Sequence, residues 1–247
     1  MSFKDHFSAH ASDYARFRPH YPRELFAYLA ALTSEQECVW DCATGNGQAA
    51  VALGEFFQHV IATDASEKQV ANGRPHDRVT YRVAPAERSG LSKASMDLIT
   101  VAQALHWFDR EAFFTEAKRV LKPNGILAVW CYDLFRVSPE IDRLVETFYR
   151  KTVGPYWDFE RCLVETGYRT IEFPFDEISS PDFRMQADWS LDDVLGYLRT
   201  WSATKGFIAA RGFDPVVDLR AQLRAAWGES ETRKITWPLS VRVGRSL

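Results

Sequence analysis

No stretch of this chain approaches the roughly 20 consecutive apolar residues that would span a bilayer, so no membrane helix is expected. The opening residues, Met1-Ser2-Phe3-Lys4-Asp5-His6, contain no apolar run and bring in an acid early. A secretory signal is therefore not expected, and the cytoplasm is the expected compartment. Cysteine is scarce. Of the four, Cys131 and Cys162 stand in unrelated stretches, while Cys38 and Cys42 fall in or beside one apolar run rather than in zinc knuckles. Buried reduced thiols and no metal follow as expectations. Nor is there an excess of positive charge, since 30 Lys and Arg face 33 Asp and Glu, a formal net charge of −3. That balance argues against broad nucleic-acid binding, which depends on neutralising phosphates. Internal repeats and low-complexity segments are lacking too.

What remains is the make-up of an ordinary soluble domain. The 247 residues are 46% hydrophobic and 26% charged, enough apolar material to argue against disorder. Phe3, Phe7 and Tyr14 lie at helical spacing until Pro19 and Pro22 break the run, and Pro22 then opens a helix with Leu25, Phe26 and Leu29 on one face. From residue 38 onward, short apolar runs alternate with helical ones. Strands are expected at 38–42, 60–64, 79–83, 96–102 and 125–132. Helices are expected at 48–57, after an N-capping Ser66, and at 111–121, the last stopped by a turn at Lys122-Pro123-Asn124-Gly125. This alternation predicts an α/β fold, a parallel sheet with helices on both faces and its ligand site along the strand C-termini.

Past residue 138 the pattern reads as a helix at 139–151 and a strand within 168–178 made irregular by Pro174. Ser190-Leu191-Asp192-Asp193 resembles a capping box opening a helix with a Leu191, Val194, Leu195 and Leu198 stripe. Another helix starts at Asp214-Pro215, and a last strand is expected at 235–243. A helical cap insertion at 179–230 would then lie between the final two strands. Tyr156, Trp157, Phe159, Trp189, Tyr197, Trp201 and Phe207, with Arg184, Arg199 and Lys205, are candidates to shape a pocket for a flat or anionic ligand.

The strongest local signal is Asp41-Cys42-Ala43-Thr44-Gly45-Asn46-Gly47, a glycine turn between a strand and a helix that lets backbone approach a ligand closely. Asp64, at the end of the next strand, is placed to accept both hydroxyls of a ribose. Together these resemble the first two motifs of class I S-adenosylmethionine-dependent methyltransferases, with Ala43 standing at the first glycine and Ala62-Thr63-Asp64-Ala65-Ser66 as the second motif. Pro85-Ala86-Glu87 resembles the adenine loop, Asp97 to Asp109 the fourth-strand motif, and Arg119 to Leu127 the helix and turn before the fifth strand. The pair of His106-Trp107-Phe108-Asp109 and Tyr14-Ala15-Arg16-Phe17-Arg18 is similar to the small-molecule branch of trans-aconitate and ubiquinone/menaquinone-pathway methyltransferases.

The resemblance implies a single Rossmann-like domain over 1–247, with a seven-stranded, mostly parallel sheet, its last strand antiparallel. Residues 1–37 would cover the cofactor, 38–135 would hold it, and 179–230 would form the cap. It implies S-adenosylmethionine as cofactor, contacted by Tyr14, Arg18, Asp41, Ala43, Thr44, Gly45, Gly47, Gln48, Asp64, Ala65, Ala86, Glu87, Gln103, Ala104 and Trp107. The partner would be a small-molecule acceptor, with no nucleic acid and no membrane, and the protein a monomer or homodimer. A nicotinamide dinucleotide fold is disfavoured, because Asp41 would repel a pyrophosphate. A non-catalytic cofactor binder and an RNA methyltransferase remain as alternatives. His106 is the candidate catalytic residue. It could serve as a general base, or as a pocket wall if the acceptor is a carboxylate that needs no base.

Overall fold

Five apolar runs become five parallel strands whose order leaves a crevice in mid-sheet. In this computed structural model, which describes residues 19–246, β1 (Cys38–Cys42), β2 (His59–Asp64), β3 (Val79–Val83), β4 (Met96–Ala102) and β5 (Leu121–Tyr132) line up as β3-β2-β1-β4-β5. The helix expected around Phe3, Phe7 and Tyr14 lies outside the described residues. Since β2 and β4 lie on opposite sides of β1, the winding reverses there, and the loops leaving β1 and β4 open side by side. This is where open α/β sheets bind ligands.

Strand periodicity divides the core in two. Val39, Leu98 and Ala128 face one layer, which also holds Leu25, Phe26 and Leu29 of α1 (Arg23–Leu32) and Leu53 of α2 (Gln48–Leu53). Their neighbours Trp40, Ile99 and Val129 face the other, with Phe113 and Ala117 of α4 (Arg110–Val120). Both faces of β4 are thus covered, which is why Met96 to Val101 are all buried. α3 (Glu67–Ala71) starts at Ser66, whose hydroxyl accepts from Gln69 N at 3.3 Å. The expected turn at 122–125 lies inside β5 as a bulge: Leu121 pairs with Met96 and Ile126 with Leu98, with Asn124 at φ +63°.

After β5 come α5 (Pro139–Thr147), continued by a π-type turn at Phe148–Thr152, and the short α6 (Arg161–Glu165). The final strand, β8 (Arg233–Arg245), is antiparallel to β5, as expected for the last strand. Its other edge carries two strands in succession, β6 (Asp176–Ile178) and β7 (Phe183–Trp189), so the sheet has eight strands rather than seven. The irregular strand expected at 168–178 shrinks to β6. The extra strand comes from the segment expected to be helical from 179: Phe183 and Met185 are buried while Arg184 and Gln186 between them are exposed, a period of two. Only after β7 do the helices α7 (Leu191–Thr200), α8 (Ser202–Arg211) and α9 (Val216–Trp227) follow. The Ser190 capping box forms, with Asp193 N donating to Ser190 Oγ at 3.2 Å and Ser190 N to Asp193 Oδ2 at 3.0 Å. Among the described residues no helix is long and apolar enough to cross a membrane.

Candidate active site

The loop after β1 is forced through an unusual backbone path. Ala43, Gly45 and Gly47 have φ of +54°, +57° and +83°, a region costing a residue with a Cβ about 1–2 kcal/mol. Gly47 is required on packing grounds as well, because a Cβ there would lie 1.9 Å from the Tyr81 hydroxyl. A Cβ on Gly45 would meet nothing within 4 Å among the described residues. Gly45 N donates to Asp64 Oδ2 and Ser66 N to Asp64 Oδ1, both at 2.9 Å, tying the glycine turn to the end of β2. Each carboxylate oxygen can accept more than one such bond. Thr44 N meanwhile donates to Thr63 O at 2.9 Å.

Asp41 is buried beneath this turn. Its carboxylate accepts from Thr44 Oγ1 at 2.5 Å and from Thr100 Oγ1 at 2.7 Å, the latter its register partner on β4. Burial outweighs these bonds and, with some repulsion from Asp64, lifts its pKa to about 6. Gln48 reaches back to the N-terminal segment: Nε2 donates to Pro19 O at 3.0 Å and lies 3.3 Å from His20 Nδ1. Tyr14 and Arg18 lie outside the described residues. Ala65 is exposed just past Asp64. In the loop after β3, Ala86 is buried and Glu87 is half-buried, accepting from Asp109 N at 3.0 Å.

The β4 exit forms the other bank. Gln103 takes φ +56° and spends its side chain on the sheet, its amide donating to Tyr132 O at 3.0 Å and its oxygen accepting from Tyr132 N at 2.8 Å. That leaves mainly backbone for a ligand. Ala104 is buried, and a 3₁₀ turn at Leu105–Trp107 then sets His106 against half-buried Trp107, with ring centroids 4.6 Å apart. His106 is buried, and its Nδ1 is 2.8 Å from the hydroxyl of fully buried Tyr168. Burial, aided by the charge of Arg161, pushes its pKa down to about 3.

Arg161 belongs to a cluster that the sequence reading missed. Its guanidinium lies over the rings of Trp157 and Tyr149, its Nε donates to the Tyr149 hydroxyl at 2.8 Å, and it pairs with Asp133 at the end of β5. Of the cations named for the cap, Arg184 is exposed on β7 and Arg199 pairs with Asp214. Thr100 was also missed, though its register opposite Asp41 is a signal that a strand alignment can supply. For Tyr168 and Arg161 nothing local marks the role, since only packing brings them to β4 and β5.

The methyltransferase-domain family matches residues 40–150, the stretch holding both loops. A Dictyostelium discoideum protein named as a methyltransferase is 34% identical over 245 residues, covering 96% of this chain and 93% of its own length. The chain belongs to the class I S-adenosylmethionine-dependent methyltransferases. A solved structure from Anaeromyxobacter dehalogenans, described as a type II methyltransferase, matches this methyltransferase at 44% identity and a TM-score of 0.88, over 93% of this chain and 98% of that one. A Saccharomyces cerevisiae protein named as an S-adenosylmethionine-dependent methyltransferase is 28% identical over 142 residues, which is 54% of this chain and 46% of that one. S-adenosylmethionine is the cofactor, and the residues present fit it. Among the described residues nothing crowds Gly45, the two loops flank the switch point, and Asp41 is a buried acid whose raised pKa a positive group would relieve. Among the described residues no group of three or more His, Cys, Asp or Glu is placed to hold a metal.

Proposed function

We propose that this methyltransferase acts on a small carboxylic acid, moving the methyl group to a carboxylate oxygen. The observation that carries the reading is His106. A ring buried, bonded through Nδ1 to Tyr168 and lowered to about pKa 3 binds a proton too weakly to draw one from an acceptor, so it is a poor general base. An acceptor that arrives already deprotonated needs none. S-adenosylmethionine supplies the activated methyl, and the chain's task is to hold acceptor and donor in line and keep water out. In this reading Asp64 accepts the ribose hydroxyls and Asp41 faces the ammonium group. Ala43, Thr44, Gly45, Gly47 and Gln48 form the backbone cradle, and Ala65, Ala86 and Glu87 border the adenine. Gln103, Ala104 and Trp107 border the methionyl end, with Tyr14 and Arg18 covering the ligand. Residues 1–37 cover the cofactor, 38–135 hold it, and 179–230 shape the acceptor side; the contact of Gln48 with Pro19 and His20 supports the first of these. The resemblance to the trans-aconitate and quinone-pathway branch supports a small acceptor rather than nucleic acid, met in the cytoplasm by a monomer or homodimer.

The test is a panel of carboxylic acids and phenols assayed for S-adenosylhomocysteine and for methyl esters by mass spectrometry. Acids should be methylated, with kcat/KM for the acid flat from about pH 6.5 to 9 at saturating cofactor, and His106→Gln should keep turnover within about tenfold. An ascending limb that disappears in His106→Gln, with phenols as the better acceptors, would sink the reading.

A further inference from the structure

Tyr168 occupies a position that only a constrained backbone can reach. It has φ +61° and follows Gly167 at +60°, two consecutive left-handed residues, the second bulky. β8 holds this turn in place from outside. Arg242 Nη1 donates to Tyr168 O and to Ile171 O, both at 2.7 Å, while its Nε and Nη2 grip Glu177 at 2.9 and 3.0 Å. Gly167 sits so close to β8 that a Cβ would lie 2.5 Å from Ser240 Oγ. The result of this construction is a fully buried phenol aimed at one ring nitrogen of His106.

We propose that Tyr168 is a positioning residue that locks His106 as the Nε2–H tautomer, making the ring a fixed hydrogen-bond donor to a carboxylate or carbonyl oxygen of the acceptor. The direction of the bond follows from satisfaction. If Nδ1 donated, the phenol proton would be left with no acceptor among the described residues, at full burial, where an unmade bond is costly. If the phenol donates, its proton and Nδ1 are both satisfied and the ring's own proton sits on Nε2. Burial favours the same state, because it raises the Tyr168 phenol well above its ordinary value and lowers His106, so both partners stay neutral. Arg161, facing the pair from α6, further opposes a positive ring. Nε2 has no partner among the described residues, and the ring stands at the β4 exit beside Trp107. A donor fixed there suits an oxygen with lone pairs and is mismatched to an ammonium group. The acceptor half of this inference rests on the carboxylate reading; the tautomer does not.

Long-range proton–nitrogen NMR on ¹⁵N-histidine-labelled protein with S-adenosylhomocysteine bound tests the lock directly. His106 signals are assigned by their loss in His106→Gln. At pH 7 the wild type should show a neutral ring protonated on Nε2. In Tyr168→Phe that signature should give way to a tautomer mixture, with KM for the acid raised roughly tenfold or more, a smaller change in kcat, and unchanged cofactor affinity. A ring protonated on Nδ1, or doubly protonated, in the wild type would overturn the inference even if Tyr168→Phe does not fold. The expected tautomer in an enzyme that methylates no acid would overturn the carboxylate reading alone and leave the lock standing.

Discussion

The two ends of the parallel sheet treat buried acids in opposite ways. At the N-terminal end, Asp97 of β4 accepts from Glu37 N at 3.1 Å and Cys38 N at 2.8 Å, and Lys122 Nζ stands 2.8 Å from its other oxygen. Glu116, nearby on α4, is likewise matched by Arg119 and Ser89, which together hold its pKa at about 2. At the C-terminal end, Asp41 has two threonine hydroxyls and, among the described residues, no cation, and its pKa rises to about 6. An acid that serves the fold has its counter-charge built in. Asp41, proposed above to face the cofactor, is left short of positive charge, and a ligand bearing an ammonium and a sulfonium would provide it.

Removing the built-in cation should give the largest effect. Lys122→Met leaves Asp97 buried with only its backbone donors, and stability should fall by about 3 kcal/mol, on the order of 6–12 °C in Tm. Cofactor affinity in the folded fraction should not change. A Tm within a degree of wild type would mean that the pair contributes no more than a surface pair, and the contrast between the two ends would fail.

At the other end the sign reverses. Above pH 6 Asp41 is ionised in the folded chain at a cost, because its folded pKa lies about two units above the ordinary 3.8. As pH falls through 6 the folded form takes up its proton first, and by about pH 4 the penalty is gone. Asp41→Asn without cofactor should therefore be more stable than wild type at pH 7–8, by about 3 kcal/mol, with the two converging towards pH 4. The same substitution should weaken S-adenosylmethionine binding by tenfold or more in calorimetry. A less stable Asp41→Asn at pH 7 would break the comparison.

The smallest expected effect refines the loop rather than the charge. Ala43→Gly removes the strain of a Cβ at φ +54° but adds freedom to the unfolded chain, terms of about 1–2 and 0.5–1 kcal/mol. The net should be a gain below about 1 kcal/mol, read as a higher urea midpoint at unchanged slope. A clear loss would mean that the Ala43 methyl makes a packing contact outweighing the strain.

The parallel half was legible because its signals are local. β1, β2 and β4 are short, mostly apolar runs, and β3 alternates Val79, Tyr81 and Val83 with polar residues. Ser66 and Ser190 cap as their side-chain chemistry dictates, and the glycine turn and Asp64 meet where a strand–turn–helix unit must put them. The antiparallel edge was harder to read. In β7 the inward positions run Phe183, Met185, then the small Ala187, a thin signal, so the stretch before the Ser190 cap was counted with the helical insertion from 179. The surroundings of His106 were nearly invisible. Arg161 and Tyr168 lie far along the chain from His106 and reach it only through packing, while Arg199 is spent on Asp214 and Arg184 is exposed on β7.

Trp189 and Arg233 are cross-strand partners, yet about forty residues of helix separate them along the chain. Chain-closure entropy grows only slowly with length, by about 0.6 kcal/mol per doubling, so the detour is thermodynamically mild. Its kinetic meaning is larger. β8 must wait until α7, α8 and α9 have brought its start back to β7, and the same strand then closes the open flank of β5. Until β8 is seated, β5 offers a bare edge to any neighbouring strand. A change that weakens the pairing of β8 would therefore show first as aggregation, before any defect in catalysis could be measured.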